Sequence, residues 1–133
     1  MRQLSNRRVA PGRDRGAASA ELAIAAPLLM LLLMAIVQFA LVAHAHHIAQ
    51  AAAARALAAA RVEDSDAAAG RSAGEELLAQ IGSGSLHQPT VTVQRTATEA
   101  TADVRGTVVA LLPFLHLPVQ AHAAGPVEHL AGS

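Results

Sequence analysis

The longest apolar run in the chain, LAIAAPLLMLLLMAIVQFALVA from Leu22 to Ala43, contains one clearly polar residue, Gln38. A hydrocarbon core about 30 Å thick is crossed by roughly 20 helical residues, so this run is long enough to span a bilayer. The helix-compatible pattern starts near Ala17 and continues past the run through HHIAQAAAARALAAAR, where alanine dominates and Arg55 and Arg61 add strong helix formers. One long helix, half in lipid and half outside it, is the economical reading. Pro27 lies inside that helix and removes a backbone donor, which predicts a bend between Ala23 and Pro27 of a kind membrane helices tolerate.

The helical pattern weakens from Glu63 to Gly70. SAGEELLAQIGSG then predicts a short second helix, with Leu77, Leu78 and Ile81 as its apolar face and Gly82 and Gly84 as its stop. Thr90 to Gln94 alternates with period two, and Ala102 to Leu112 is β-rich and more apolar, with Gly106 a candidate bulge. TATEAT between them is of turn length, which makes the two an antiparallel hairpin, and Pro118 to Ala123 supplies a third strand after the LLPFLHL corner. AGPVEHLAGS at the end reads as a loose tail opening at Gly125 and Pro126. The expected fold class is therefore membrane-anchored α+β: a long N-terminal transmembrane helix extending into a small exported region with a short helix and an antiparallel β-meander. The expected division is a basic tail over 1–16, the membrane helix over 17–43, a helical region over 44–81, the meander over 82–124 and the tail over 125–133.

Charge orients the span. Arg2, Arg7, Arg8, Arg13 and Arg15 precede it against Asp14 alone, whereas Glu63, Asp64, Asp66, Glu75, Glu76, Glu99, Asp103 and Glu128 outnumber Arg55, Arg61, Arg71, Arg95 and Arg105 after it. The positive-inside tendency then keeps Met1 to Arg15, polar and broken by Pro11 and Gly12, as a disordered cytoplasmic tail and exports the C-terminal part. Cysteine is absent, so no disulfide compensates for a small core, and Phe39 and Phe114 are the only aromatics, too few for an interfacial belt or an aromatic-rich core. Basic residues in the exported part are too scattered for a nucleic-acid footprint. No phosphate loop, HExxH, Gly-x-Ser-x-Gly or paired nucleophile and base occurs, which argues against an enzyme.

The candidate chemistry sits at the head of the span, where Gly16 precedes Glu21 by five residues. A carboxylate at the edge of a membrane segment is costly to draw into lipid, so Glu21 either stays at the interface, capping a helix start where the macrodipole favours acids, or pairs with a cation. RGAASAELAIAAP resembles the processing site of type IV pilin-like proteins. More widely, Arg15 to Arg61, with Gly16, Glu21, Pro27 and AAAARALAAAR carrying Arg55 and Arg61, resembles the TadE-like minor pilins of tight-adherence (Tad/Flp) pilus systems.

That resemblance implies cleavage by a membrane prepilin peptidase between Gly16 and Ala17, with Glu21 pairing to the new ammonium of a neighbouring subunit. It further implies a structural place in a type IVb pilus or related secretion apparatus, among other pilin-like subunits and Tad assembly proteins, with Glu21, Pro27, Arg55 and Arg61 in assembly. Leu22 and the sizeable exported region depart from major pilins, which are shorter and carry an aromatic after the glutamate, and this favours a minor component. Two other readings stay open: an uncleaved single-pass envelope adaptor, and secretion after cutting at Ala43-His44-Ala45, an A-x-A match behind a hydrophobic segment longer than a usual signal core.

Two further features are weaker. His44, His46 and His47 cluster just past the span, but zinc sites take three or four ligands and no Cys, Asp or Glu stands nearby, so they read as interfacial residues ending the span; no metal and no cofactor is expected. The alanine run Ala49 to Ala60 fits either close helix bundling or a solvated stalk chosen for helix propensity.

Overall fold

The structure is a computed structural model that describes residues 12–112 and 114–131, with the backbone alone for 12–14. Its elements are α1 (Gly12–Arg61), α2 (Ala67–Ile81), β1 (Leu86–Arg95), β2 (Glu99–Val108) and β3 (Leu117–Pro126), and the strands form one antiparallel sheet in the order β1-β2-β3. The chain divides into two compact units between Ile36 and Val37. The long apolar helix, the short helix and the three-stranded meander are the α+β arrangement expected.

The first unit is helix throughout its described part, and the assignment runs through Pro27 without interruption. It begins at Gly12, so residues 12–15 are helical where a disordered tail was expected; Met1 to Pro11 lie outside the described residues. Once a helix is nucleated by the span, adding a residue costs far less than starting one, which explains the extra turn. Every residue from Leu22 to Leu33 is exposed, an all-round apolar surface of the kind that belongs in lipid or a protein interior.

In the second unit the remainder of α1 has a defined inner face. Ala45, Ile48, Ala49, Ala52, Ala53, Ala56, Leu57 and Ala60 are buried while His46, His47, Gln50, Ala54 and Arg55 are exposed, the three-and-four spacing of one helical stripe. The alanine run is thus neither free for bundling on all sides nor a solvated stalk: one face of it is the floor of this chain's own core. α2 packs there through glycine. A Cβ at Gly70 would lie 2.7 Å from Ala60 Cβ and 2.8 Å from the Ala56 carbonyl oxygen, and one at Gly74 would lie 3.0 Å from Ala56 Cβ. Small residues on both helices permit that approach.

α2 starts at Ala67, earlier than the expected Ser72, because Asp66 caps it: its carboxylate accepts from the Ala69 N–H at 2.7 Å. Its buried face is Gly70, Gly74 and Leu78, with Leu77 at the margin and Ile81 exposed, so the expected Leu77-Leu78-Ile81 face is turned by the glycine contact.

Each strand is longer than the period-two segment that announced it, or shifted from it. The irregularity expected at Gly106 falls on its partner strand: His87 pairs with Thr107 and Thr90 with Arg105, leaving Gln88 and Pro89 opposite Gly106 alone. Gln88 takes a positive φ of 47°, and Pro89, which has no N–H to give a ladder, sits on an edge strand at a bulge, where proline is admitted. The extra residue restores side-chain parity, so that Leu86 and Val91 both face inward. β2 ends at Val108 instead of Leu112 because the next backbone groups bond elsewhere: Gln38 Nε2 donates to the Val109 carbonyl at 3.2 Å, and the Leu111 N–H donates to Gln38 Oε1 at 2.7 Å.

β3 extends through Gly125 and Pro126, and the segment expected to be loose is held at least as far as His129, whose Nε2 lies 3.1 Å from the Ala97 carbonyl oxygen. The Val127 N–H donates to the Thr98 carbonyl and the Glu128 N–H to the Arg61 carbonyl, while Val127 is buried. The core that results is alanine and valine for the most part, Val104 being its largest fully buried side chain.

Candidate processing and anchoring segment

Gly16 and Ala17 lie in the first turns of α1, both exposed. A Cβ at Gly16 would meet nothing within 4 Å, so the fold does not require glycine there. The neighbouring Ser19 hydroxyl donates back to the Arg15 carbonyl at 2.9 Å, a bond that competes weakly with helix geometry. Glu21 is exposed one turn later and makes no hydrogen bond or ion pair among the described residues. Pro27 is exposed on the apolar stretch below it. These residues lie toward one helix end, and among the described residues nothing within their own unit consumes them.

The two arginines are placed differently from each other. Arg61 is an internal clamp: its Nε donates to the Pro126 carbonyl at 2.7 Å, its guanidinium stands 3.7 Å from the Glu128 carboxylate, and its side chain covers Gly125. Arg55 is exposed beside Ala73, Glu76, Leu77 and Gln80, with no hydrogen bond or ion pair among the described residues. Arg55 presents its charge outward, whereas Arg61 is bonded within its own unit.

His44, His46 and His47 are exposed on α1, and His46 meets Gln50 at 3.1 Å. Among the described residues no three His, Cys, Asp or Glu side chains are gathered as metal ligands would be. The Ala43-His44-Ala45 match lies in mid-helix, with Ala45 fully buried in the core, so cutting there would detach the span from the helix that floors the second unit. Sequence reasoning missed Gln38, the one buried polar side chain among the described residues; its signal was present as the single polar interruption of the span.

One helix among the described residues is long and apolar enough to cross a membrane, and it suggests a membrane anchor. No curated protein and no solved structure matches the chain. A family match covers the segment that carries Gly16, Glu21, Pro27 and Arg55 and stops before α2 and the sheet: residues 16–58 match the family described as TadE-like protein.

Proposed function

We propose that the protein is a minor pilin-like structural component of a Tad pilus or a related secretion apparatus, anchored by α1 with its N-terminus in the cytoplasm and its sheet exported. The observation that carries this reading is that Gly16 and Glu21, at the head of the matched segment, are unused by the fold: no contact excludes a side chain at the first, and no partner within the described residues neutralises the second. Residues the fold does not need, at the edge of a span, suit recognition by other molecules.

Processing by a prepilin peptidase after Gly16 is part of the proposal. A protease takes its substrate extended, and glycine costs a helix about 1 kcal/mol relative to alanine, so the turn holding Gly16 is the one most readily unwound. Cutting leaves Ala17 as an ammonium terminus and Glu21 one turn away. A Glu21 carboxylate paired with a neighbouring subunit's ammonium fixes the stagger of two spans, because in a low-dielectric contact either charge alone is strongly disfavoured. Arg55 supports the same reading as an outward charge for a partner protein. No step of this role calls for catalysis or a cofactor.

Glu21→Gln tests it. The amide keeps shape and hydrogen bonding but removes the charge, so membrane level and removal of the leader are expected to match wild type while recovery with other pilus components falls. Undiminished partner recovery and piliation would reduce Glu21 to an interfacial residue and favour the unpolymerised adaptor.

A further inference from the structure

The segment between β2 and β3 is not a solvated turn by composition. From Gly106 to Val127 there is no Asp, Glu, Lys or Arg, and residues 109–115 read VALLPFL. Phe114 is 77% exposed and Leu111 42%. The only other aromatic in the chain, Phe39, is 76% exposed, so neither phenyl ring enters the core. Phe39 adjoins Gln38, and Gln38 is the residue that binds this loop.

The bond is reciprocal. Gln38, 6% exposed, donates to the Val109 carbonyl at 3.2 Å and accepts from the Leu111 N–H at 2.7 Å, so each partner satisfies the other's polar groups. Gln38 belongs to the same unit as the loop and also to the apolar stretch, six residues short of His44. At 1.5 Å per residue the clamp sits about 9 Å inside the polar end of that stretch. Apolar faces of interfacial segments settle roughly 5 to 10 Å below the headgroups, which is the same depth. Irregular backbone at such depth is admitted only where its N–H and C=O groups are satisfied, and the Gln38 amide does this for the Val109 carbonyl and for the N–H of the exposed Leu111.

We propose that residues 109–112 and 114–116 form a second membrane contact, laid into the bilayer interface at the His44 end of the span, with Leu111 and Phe114 in lipid and Gln38 fixing its depth. The proposal rests on the membrane reading of α1. It makes the exported region a body seated on the bilayer by two attachments instead of one. His116, exposed where the loop returns to β3, is its polar limit, as His44 is that of the span.

The chain has no cysteine, so single cysteines carry an environment-sensitive fluorophore without background. Phe114→Cys, Leu32→Cys and Glu128→Cys are labelled in the full chain and reconstituted in phosphatidylcholine vesicles with a minor share of phosphatidylglycerol. The quenchers are lipids that carry a spin label either near the headgroup or near the bilayer centre. The label at 114 is expected to shift to the blue and lose most of its emission to the headgroup-side quencher. The label at 32 answers to the central quencher and that at 128 to neither. With Gln38→Leu added, which leaves the span more apolar, quenching at 114 is expected to fall while that at 32 stays. A label at 114 that behaves like the one at 128 while 32 is quenched overturns the proposal and leaves the anchor standing. Absence of quenching at 32 overturns the anchor and the proposal together. A blue shift at 114 that neither quencher reaches identifies a protein cover and overturns the lipid assignment. Unchanged quenching at 114 in Gln38→Leu overturns the clamp.

Discussion

Gly70 and Gly84 are the same residue type with opposite consequences. At Gly70 an added methyl meets Ala60 Cβ and the Ala56 carbonyl oxygen, the second of which is backbone and cannot give way, whereas at Gly84 nothing lies within 4 Å. Overfilling a packed contact costs about 1 to 3 kcal/mol, more than the roughly 1 kcal/mol of helix propensity that alanine contributes. Gly70→Ala is therefore expected to lower the denaturation midpoint of the detergent-solubilised chain, and Gly84→Ala to leave it within error; equal midpoints would remove the α1–α2 glycine contact from the account. Arg61 and Arg55 make a similar pair. Arg61→Gln loses a 2.7 Å bond to Pro126 and an ion pair with Glu128; because the side chain is about a third exposed, screening limits the expected loss to about 1 kcal/mol. Faster hydrogen exchange at Val127 and Glu128, with the β1–β2 amides unchanged, is the expected signature. Arg55→Gln should leave stability within about 0.5 kcal/mol, as exposed substitutions do, and reduce partner recovery only. The Gly70 contact and Arg61's partners were not legible in the sequence, since each depends on residues of another element.

Helix and strand identity, by contrast, was legible because it is written in local periods: the apolar run gave α1, and Thr-Val-Thr-Val-Gln gave a strand. Boundaries followed from side-chain bonds that a periodic reading cannot see. Asp66 moved the start of α2, Gln38 ended β2, and the Gln88-Pro89 bulge lengthened β1 beyond the alternating segment. Asp66→Ala is expected to cost about 1 kcal/mol, the usual worth of an N-cap, with faster exchange confined to the first turn of α2. Uniform loss of protection across α2 and the sheet would mean that the cap holds the whole unit together and not one helix end. The alanine run shows the limit of composition: propensity announces a helix but not which side of it is buried, and the answer came from Gly70 and Gly74 on another element.

For the whole molecule, the family match over 16–58 and the fold of residues beyond it divide the chain into a segment shared with TadE-like proteins and a sheet region that the match does not reach. Charge supplies the orientation in the proposal: arginines precede the span and acids outnumber them after it. A reporter fused after Ser133 is expected to work only where it functions outside the cytoplasm; activity of a cytoplasm-only reporter at that position would reverse the topology. The central claim, that the segment is handled as a pilin leader and span, meets its most direct test in the intact mass of the protein extracted from membranes of cells with an active prepilin peptidase. A chain beginning at Ala17, and a full-length chain from the same cells when Gly16 is replaced by arginine, is the predicted result. Since the fold leaves open space at Gly16, failure of that variant to be cut is a failure of recognition and not of folding. Recovery of the wild-type chain with Met1 to Gly16 still attached would contradict the account.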